Sequence, residues 1–310
     1  MIVGPTAVGK TELSLSIGEK FSGEIVSVDS MQVYRYMDIG TAKASPAERA
    51  RLPHHLIDIV DPDDEYTAGR FVEDASNAMA DIAGRGKLPL LVGGTGLYLQ
   101  SLLSGLCEFT ETDGLGNGDE SLAAIRDRLK ESLAQEGGRE KLFSELEQYD
   151  PESAARIHPN DSQRILRGLE IFHATRIPWS EHLARQRRNS GLGPRILKLG
   201  LFLDREMLYE RIGQRTEMMW EEGLVSEVER LLDMGYDSSL KSMQSIGYRH
   251  AVNFLAGEWD RAQTLELLAR DTRRYAKRQF TWFKKDNDII WVRPDENRKI
   301  FQMIEKYMGT

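Results

Sequence analysis

Apolar residues follow two rhythms along the first hundred positions. Ile2 and Val3 lead into a glycine-rich turn, and from Thr11 to about Lys20 apolar residues recur at helical spacing. Ile25, Val26 and Val28 make a short β-branched run that ends at Asp29. His55 to Val60 is a second apolar run, closed by Asp61-Pro62, and Phe71, Ala75, Ala78, Met79 and Ile82 return to helical spacing. Leu88 to Val92 is a third strand candidate, and it ends in Gly93-Gly94-Thr95-Gly96. Short apolar runs alternating with helical segments predict a parallel sheet joined by right-handed crossovers.

The rhythm breaks between Thr110 and Asp119, where glycine and acid dominate (TETDGLGNGD) and a linker is expected. From Glu120 to about Asn189 the periodicity is helical throughout. Ile196 to Leu203 then gives another strand candidate, and the C-terminal third reads as largely helical. The pattern predicts an α/β catalytic core made of residues 1–109 and 190–310, opened by a helical insertion over 110–189.

Composition narrows this picture modestly. The chain has 310 residues, with 40% hydrophobic and 29% charged, enough apolar material for a sizeable core. Its 41 basic against 49 acidic residues leave a net charge of −8, which excludes a generally basic nucleic-acid coat but not a local basic strip. The single cysteine, Cys107, cannot close an internal disulfide. No apolar run approaches the roughly 18 residues of a membrane span, and no signal-peptide pattern opens the chain. A cytoplasmic monomer without membrane attachment is the expectation.

The strongest chemical signal is Gly4-Pro5-Thr6-Ala7-Val8-Gly9-Lys10-Thr11, which fits G-x-x-x-x-G-K-[ST] between a strand and a helix. Such a loop turns backbone N–H groups around phosphate oxygens and adds the positive end of a helix. Lys10 supplies a point charge for the outer phosphate, and Thr11 offers a hydroxyl to a phosphate-bound Mg²⁺. A diphosphate or triphosphate ligand and a P-loop NTPase-like core follow, but the loop alone does not name the reaction.

Two further features bear on it. Asp29 ends a strand, at the edge of a parallel sheet where P-loop ligands bind, and reads equally as a Mg²⁺ carboxylate, a general base or a cap for the next segment. Many ATPases place an acid after the four apolar residues of the strand that here ends in Gly93-Gly94-Thr95-Gly96. This turn instead lets backbone approach a ligand and sets one hydroxyl beside it, or else serves as a tight helix cap. His54-His55 has no accompanying ligands and no zinc is assigned.

Helical arithmetic adds two basic faces. Gln163, Arg164 and Arg167 lie opposite Ile165, Leu166, Leu169 and Phe172, which gives one cationic and one buried side. Near the C-terminus Arg270, Arg273, Arg274, Lys277, Thr281 and Lys284 make a stripe. From Arg270 to Lys285 there are seven basic residues and one acid, Asp271. Either face is also readable as an ordinary solvated helix surface.

The segments GPTAVGKT, VDSMQVYRYMDIGTAK, PHHLID, LVGGTGLYL, IHPNDSQRILRGLE, MQSIGYRH and RRYAKRQFTWF, in this order from residue 4 to about 284, together resemble the tRNA dimethylallyltransferase family. The chain departs from it in having only three residues before Gly4 and an unusually glycine-rich linker at 114–118. The resemblance implies transfer of a dimethylallyl group from its diphosphate to N6 of the adenosine beside the anticodon. It implies that Asp29 is the general base, that Thr95 contacts the diphosphate, that Lys10 and Mg²⁺ stabilise the leaving group, and that Arg215 is a further diphosphate contact. It implies that tRNA meets Asp29, Ser30, Met31, Gln32 and Thr95, then Arg126, Gln163, Arg164, Ile165, Leu166 and Arg167. Further along it places tRNA on Gln244, Gly247, Tyr248, Arg249, Lys277, Arg278, Gln279 and Lys284. Two other readings stay open at this stage: an isopentenyltransferase acting on free AMP, ADP or ATP, and a P-loop nucleotide switch or RNA-binding ATPase.

Overall fold

The structure is a computed structural model that describes residues 1–105, 121–189 and 196–309. The Thr110–Asp119 linker and Cys107 lie outside the described residues. In chain order the elements are β1 (Ile2–Val3), α1 (Lys10–Phe21), β2 (Gly23–Val28), α2 (Pro46–Arg51), β3 (His54–His55), α3 (Ala68–Gly84), β4 (Leu88–Gly93) and α4 (Gly96–Ser104). Five helices follow: α5 (Leu122–Ala134), α6 (Gly138–Tyr149), α7 (Pro151–Ala154), α8 (Ser162–Thr175) and α9 (Trp179–Asn189). The chain then runs through β5 (Leu199–Leu201), α10 (Arg205–Glu221), α11 (Leu224–Asp233), α12 (Tyr248–Leu255), α13 (Arg261–Phe283), β6 (Ile290–Val292) and α14 (Asn297–Met308).

The strands form one six-stranded sheet in the order β3-β2-β4-β1-β5-β6, and every pairing is parallel. β1 is central, with Ile2 opposite both Val92 and Leu199. Val3 therefore ends level with Gly93, so the turn after β1 and the turn after β4 leave the sheet side by side. Successive residues of β2 are buried on both faces of the sheet, Ile25 on one and Val26 with Val28 on the other. That is the continuous apolar reading expected of a parallel sheet covered by helices.

Two expectations change. The apolar run from His55 to Val60 yields only the two-residue β3, because Leu56 and Asp58 take left-handed backbone angles (φ 62° and 56°) that stop a strand. The C-terminal third also contributes a strand: β6, between Asn287-Asp288 and Pro294, closes the sheet against β5.

By proximity the chain divides into two compact units, Met1–Leu102 with Pro194–Thr310, and Leu103–Gly193. The second is all-helical where described, with Ile125, Leu129, Leu142, Leu146, Ile165 and Leu169 as its buried centre. Among the described residues no helix is long and apolar enough to cross a membrane.

Candidate active site

α1 begins at Lys10 after Gly9, whose φ of 105° favours glycine. No side chain caps this helix, so its first N–H groups are left for an incoming anion. Lys10 Nζ donates to the carbonyls of Gly4 (2.9 Å) and Pro5 (2.8 Å), which folds the loop around the cation. Burial pushes the Lys10 ammonium down to about 8, with Asp29 nearby holding it up and Arg215 pushing it further down. An added diphosphate would relieve both the burial and the repulsion between cations.

The carboxyl end of β2 delivers Asp29 to the same cavity. Asp29 Oδ1 accepts the amides of Met31 (2.9 Å) and Gln32 (3.3 Å), a local turn that fixes the carboxylate. Burial raises its pKa, and the two amides and Lys10 only partly offset that. A carboxylate pushed toward neutrality suits a group that must take up a proton.

Thr95 sits beside it: its Oγ1 accepts the amide of Ser30 at 3.1 Å. Arg215, on α10, reaches Thr6 Oγ1 at 3.4 Å, and burial lowers its pKa. Thr6, Lys10, Thr11, Asp29, Ser30, Met31, Gln32, Arg215, Gln244, Arg249, Arg278 and Gln279 all line one cavity of about 890 Å³ within the first unit. Its apolar wall includes Met31, Ile212, Met218, Met219, Ile246 and Leu268, suited to a hydrocarbon chain. The cavity thus combines cations, an apolar wall and several carboxylates, of which Asp29 is the one coupled to Lys10.

The glycines of the Gly93–Gly96 turn have a different reason from the one the sequence suggested. A Cβ on Gly93 would meet the Val28 carbonyl oxygen at 2.0 Å, one on Gly94 would meet Gln279 Nε2 at 2.1 Å, and one on Gly96 would meet Trp282 at 2.3 Å. The turn is stripped of side chains to admit β2 and α13, not only a ligand.

Several residues that the family resemblance places on tRNA turn inward instead. Ile165 and Tyr248 are 0% exposed and belong to the cores of their units, so their side chains offer an RNA no surface. Gln279 is 6% exposed and bonded to backbone on two loops. Gln32 is held by Ser27 Oγ (2.9 Å) and by the Ala42 carbonyl (3.3 Å). Gly247, with φ of 100°, precedes α12 and packs on Gly40. By contrast Gln163, Arg164, Gln244, Lys277, Arg278 and Lys284 are exposed, and Arg249 and Leu166 are half-buried. In the second unit Arg126 (3.4 Å) and Arg167 (3.2 Å) share the carboxylate of Glu170, which gathers the basic positions of α5 and α8.

Two residues of this neighbourhood have no role assigned from sequence, although Tyr275 lies within the RRYAKRQFTWF segment. Arg211 lies one turn before Arg215 and donates to the Val8 carbonyl at 3.4 Å. Tyr275, one turn before Gln279, sets its phenol beside Thr95 and Gln279, and burial together with Asp29 raises its pKa. The i, i+4 repeat of each pair is the signal by which they could have been found.

A uniformly parallel sheet, a phosphate loop at its central strand and a carboxylate facing that loop define a P-loop protein. The family model described as IPP transferase matches residues 32–286, and one described as Isopentenyl transferase matches residues 1–58. The tRNA dimethylallyltransferase of Desulfotalea psychrophila is 49% identical over 308 residues, covering 99% of this chain and 95% of that protein. A full-length tRNA isopentenylpyrophosphate transferase from Bacillus halodurans superposes with a TM-score of 0.68 at 37% identity, over 99% of this chain and 94% of that one. A eukaryotic dimethylallyltransferase acting on tRNA superposes with a TM-score of 0.80 at 30% identity, over 95% of this chain and 73% of that one. The chain belongs to the tRNA dimethylallyltransferase (IPP transferase) family.

Proposed function

We propose that this chain is a prenyltransferase that moves the dimethylallyl group of dimethylallyl diphosphate to N6 of the adenosine adjacent to the anticodon of tRNA. The observation that carries the reading is the pairing, in one cavity, of the Lys10 phosphate loop with the burial-raised carboxylate of Asp29. The bond between C1 and the diphosphate oxygen breaks, the C1–N6 bond forms, N6 gives one proton to Asp29, and diphosphate leaves. Lys10, Arg215 and the α1 amides stabilise the charge that develops on the leaving oxygens. The apolar wall receives the five-carbon chain.

Among the described residues no group of three His, Cys, Asp or Glu gathers as a metal cage. The donors present still fit Mg²⁺, which commonly takes one or two protein oxygens and completes its shell with phosphate and water. Thr11 would hold it, and when bound it adds positive charge to the diphosphate.

An adenine stacked in an anticodon loop cannot reach Asp29, so the base must be extruded into the cavity. The exposed Lys277, Arg278 and Lys284 on the first unit, and Arg164 with the Arg126–Arg167 pair on the second, supply phosphate contacts for an anticodon stem-loop. These faces favour RNA over a free adenine nucleotide, which needs neither.

Incubation with dimethylallyl diphosphate, Mg²⁺ and either an anticodon stem-loop or AMP, read by nucleoside mass, tests the reading. Addition of a single five-carbon prenyl unit to the adenosine of the RNA is expected. Modified AMP with unmodified RNA would overturn it.

A further inference from the structure

Gln279 projects from the inner side of α13, next to the exposed Arg278. Its Oε1 accepts the Thr6 amide at 2.8 Å, and its Nε2 donates to the Gly94 carbonyl at 3.0 Å. Donor and acceptor on the two loops fix which end of the amide points where, since a flipped amide would set N–H against N–H and oxygen against oxygen. One side chain therefore bridges the diphosphate loop after β1 and the Thr95 turn after β4. The first is the loop that would hold the leaving group, and the second carries Thr95, whose Oγ1 accepts the amide of Ser30 next to Asp29.

Three independent features converge on this bridge. Gln279 is 6% exposed, so both hydrogen bonds are sheltered from competition by water. Gly94 leaves no room for a Cβ, which would meet Gln279 Nε2 at 2.1 Å. Tyr275, one helical turn earlier, places its phenol against both Thr95 and Gln279.

Resting on the prenyl-transfer reading above, we infer that Gln279 is a positioning residue that sets the spacing between the diphosphate loop and the Thr95 turn. It touches no reacting atom. It holds the C1–O bond that must break and the Asp29–N6 contact that must form at one separation. Below it the β1–β4 ladder joins the two strands, and beyond the strand ends this amide ties their loops together. In-line displacement is sensitive to such spacing, and a misplacement of about 1 Å can lower a rate by roughly 10²-fold.

The test compares the unaltered chain with Gln279→Ala, Gln279→Met, Gly94→Ala and the double variant Gln279→Ala/Gly94→Ala. Single-turnover prenyl transfer to a stem-loop, binding of the stem-loop and of dimethylallyl diphosphate, and thermal unfolding are measured on each. Gln279→Ala and Gln279→Met are expected to lower the transfer rate by roughly 10- to 100-fold, with both binding constants changed by less than about threefold. Gly94→Ala pushes the amide aside and is expected to cause a similar loss by itself. It adds little in the Gln279→Ala background, where the obstructing amide is gone. This epistasis is what a purely structural role would not produce.

Additive losses, or losses that follow the fall in melting temperature, overturn the inference. So does a Gln279→Met enzyme with an unchanged rate, a variant that retains the side-chain volume and thus the packing. If the unaltered chain transfers no prenyl group, the functional reading fails and this inference with it. Transfer by the unaltered chain with undiminished Gln279 variants removes this inference alone.

Discussion

The Tyr248 hydroxyl donates to Glu227 Oε1 at 2.6 Å, completing a buried carboxylate that also accepts the amides of Asp38, Ile39 and Gly40 at 2.9–3.1 Å. Glu227 is 2% exposed and Tyr248 0%. Through this one side chain α11 and α12 hold the 38–40 loop, which lines the cavity. Glu227→Gln replaces an acceptor oxygen by an NH₂ that faces donors. It is expected to destabilise the chain by about 1–3 kcal/mol for each buried donor left unsatisfied. Urea unfolding with an unchanged m-value reads the effect, and an unaltered midpoint would refute the assignment.

Asp29→Asn retains an oxygen for the Met31 and Gln32 amides, so the turn after β2 should persist while the proton acceptor is removed. The transfer rate is expected to fall by roughly 10²–10⁴-fold, with stem-loop affinity unchanged. Equal decreases in rate and affinity would instead make Asp29 a binding contact.

The pH response follows from two half-buried groups of opposite sign. Burial raises Asp29, so the free enzyme gains activity as pH climbs through an Asp29 pKa that lies above its ordinary value. Burial lowers Lys10 to about 8, so kcat/KM for the allylic diphosphate declines as pH passes that value and the cation is neutralised. A bell-shaped kcat/KM profile is expected, and Asp29→Asn should erase its acid limb.

Stability carries the same lysine signature with its own sign. The folded-state value of about 8 lies below the ordinary 10.5, so between these pH values the unfolded chain binds more protons and folding strengthens as pH rises. In Lys10→Met this gain is absent. The stability difference between the two chains, constant below pH 8, should shift toward the unaltered chain by pH 10.5. Urea midpoints that change in parallel for both chains across this interval would contradict the burial of Lys10 as a strained cation.

Exposed Lys277 and Arg278 are the cleanest test of the basic stripe. Changing both to Gln should reduce the salt slope of stem-loop binding by up to about 0.7–0.9 for each phosphate no longer neutralised. Because Arg278 also lines the cavity, dimethylallyl diphosphate affinity is expected to stay within error in the Lys277→Gln single variant. An unchanged slope would leave the stripe as a solvated helix face.

Much of this site is written locally and is readable in the chain. The glycine-bounded loop before α1 and the strand ending at Asp29 declare themselves because each motif sits within a few residues of the element that positions it. The boundaries of α1 and β4 are likewise local, set by Gly9 and by the apolar run from Leu88. What the chain hides is long-range. Nothing near Gln279 marks it as different from Lys277 or Arg278, since its partners Thr6 and Gly94 are 273 and 185 residues away. The same holds for Tyr248, whose motif neighbours suggest RNA contact although its ring fills the space that Gly40 leaves open. The shortness of β3 is hidden for a different reason: left-handed angles at Leu56 and Asp58 are tertiary choices, which no propensity of leucine foretells.

The central place of β1 has a bearing on how the molecule comes into being. This strand is bordered on one side by β4 and on the other by β5, which follows the whole second unit in the chain, and its loop is braced by residue 279. Closure across such distances is entropically slow, and an emerging polypeptide can satisfy only half of these pairings. The phosphate cradle therefore depends on partners that lie far along the chain. A nascent chain that has exposed the glycine-lysine loop is not yet able to clasp an allylic diphosphate in working geometry. Working geometry there requires both β5 and α13 to be in place.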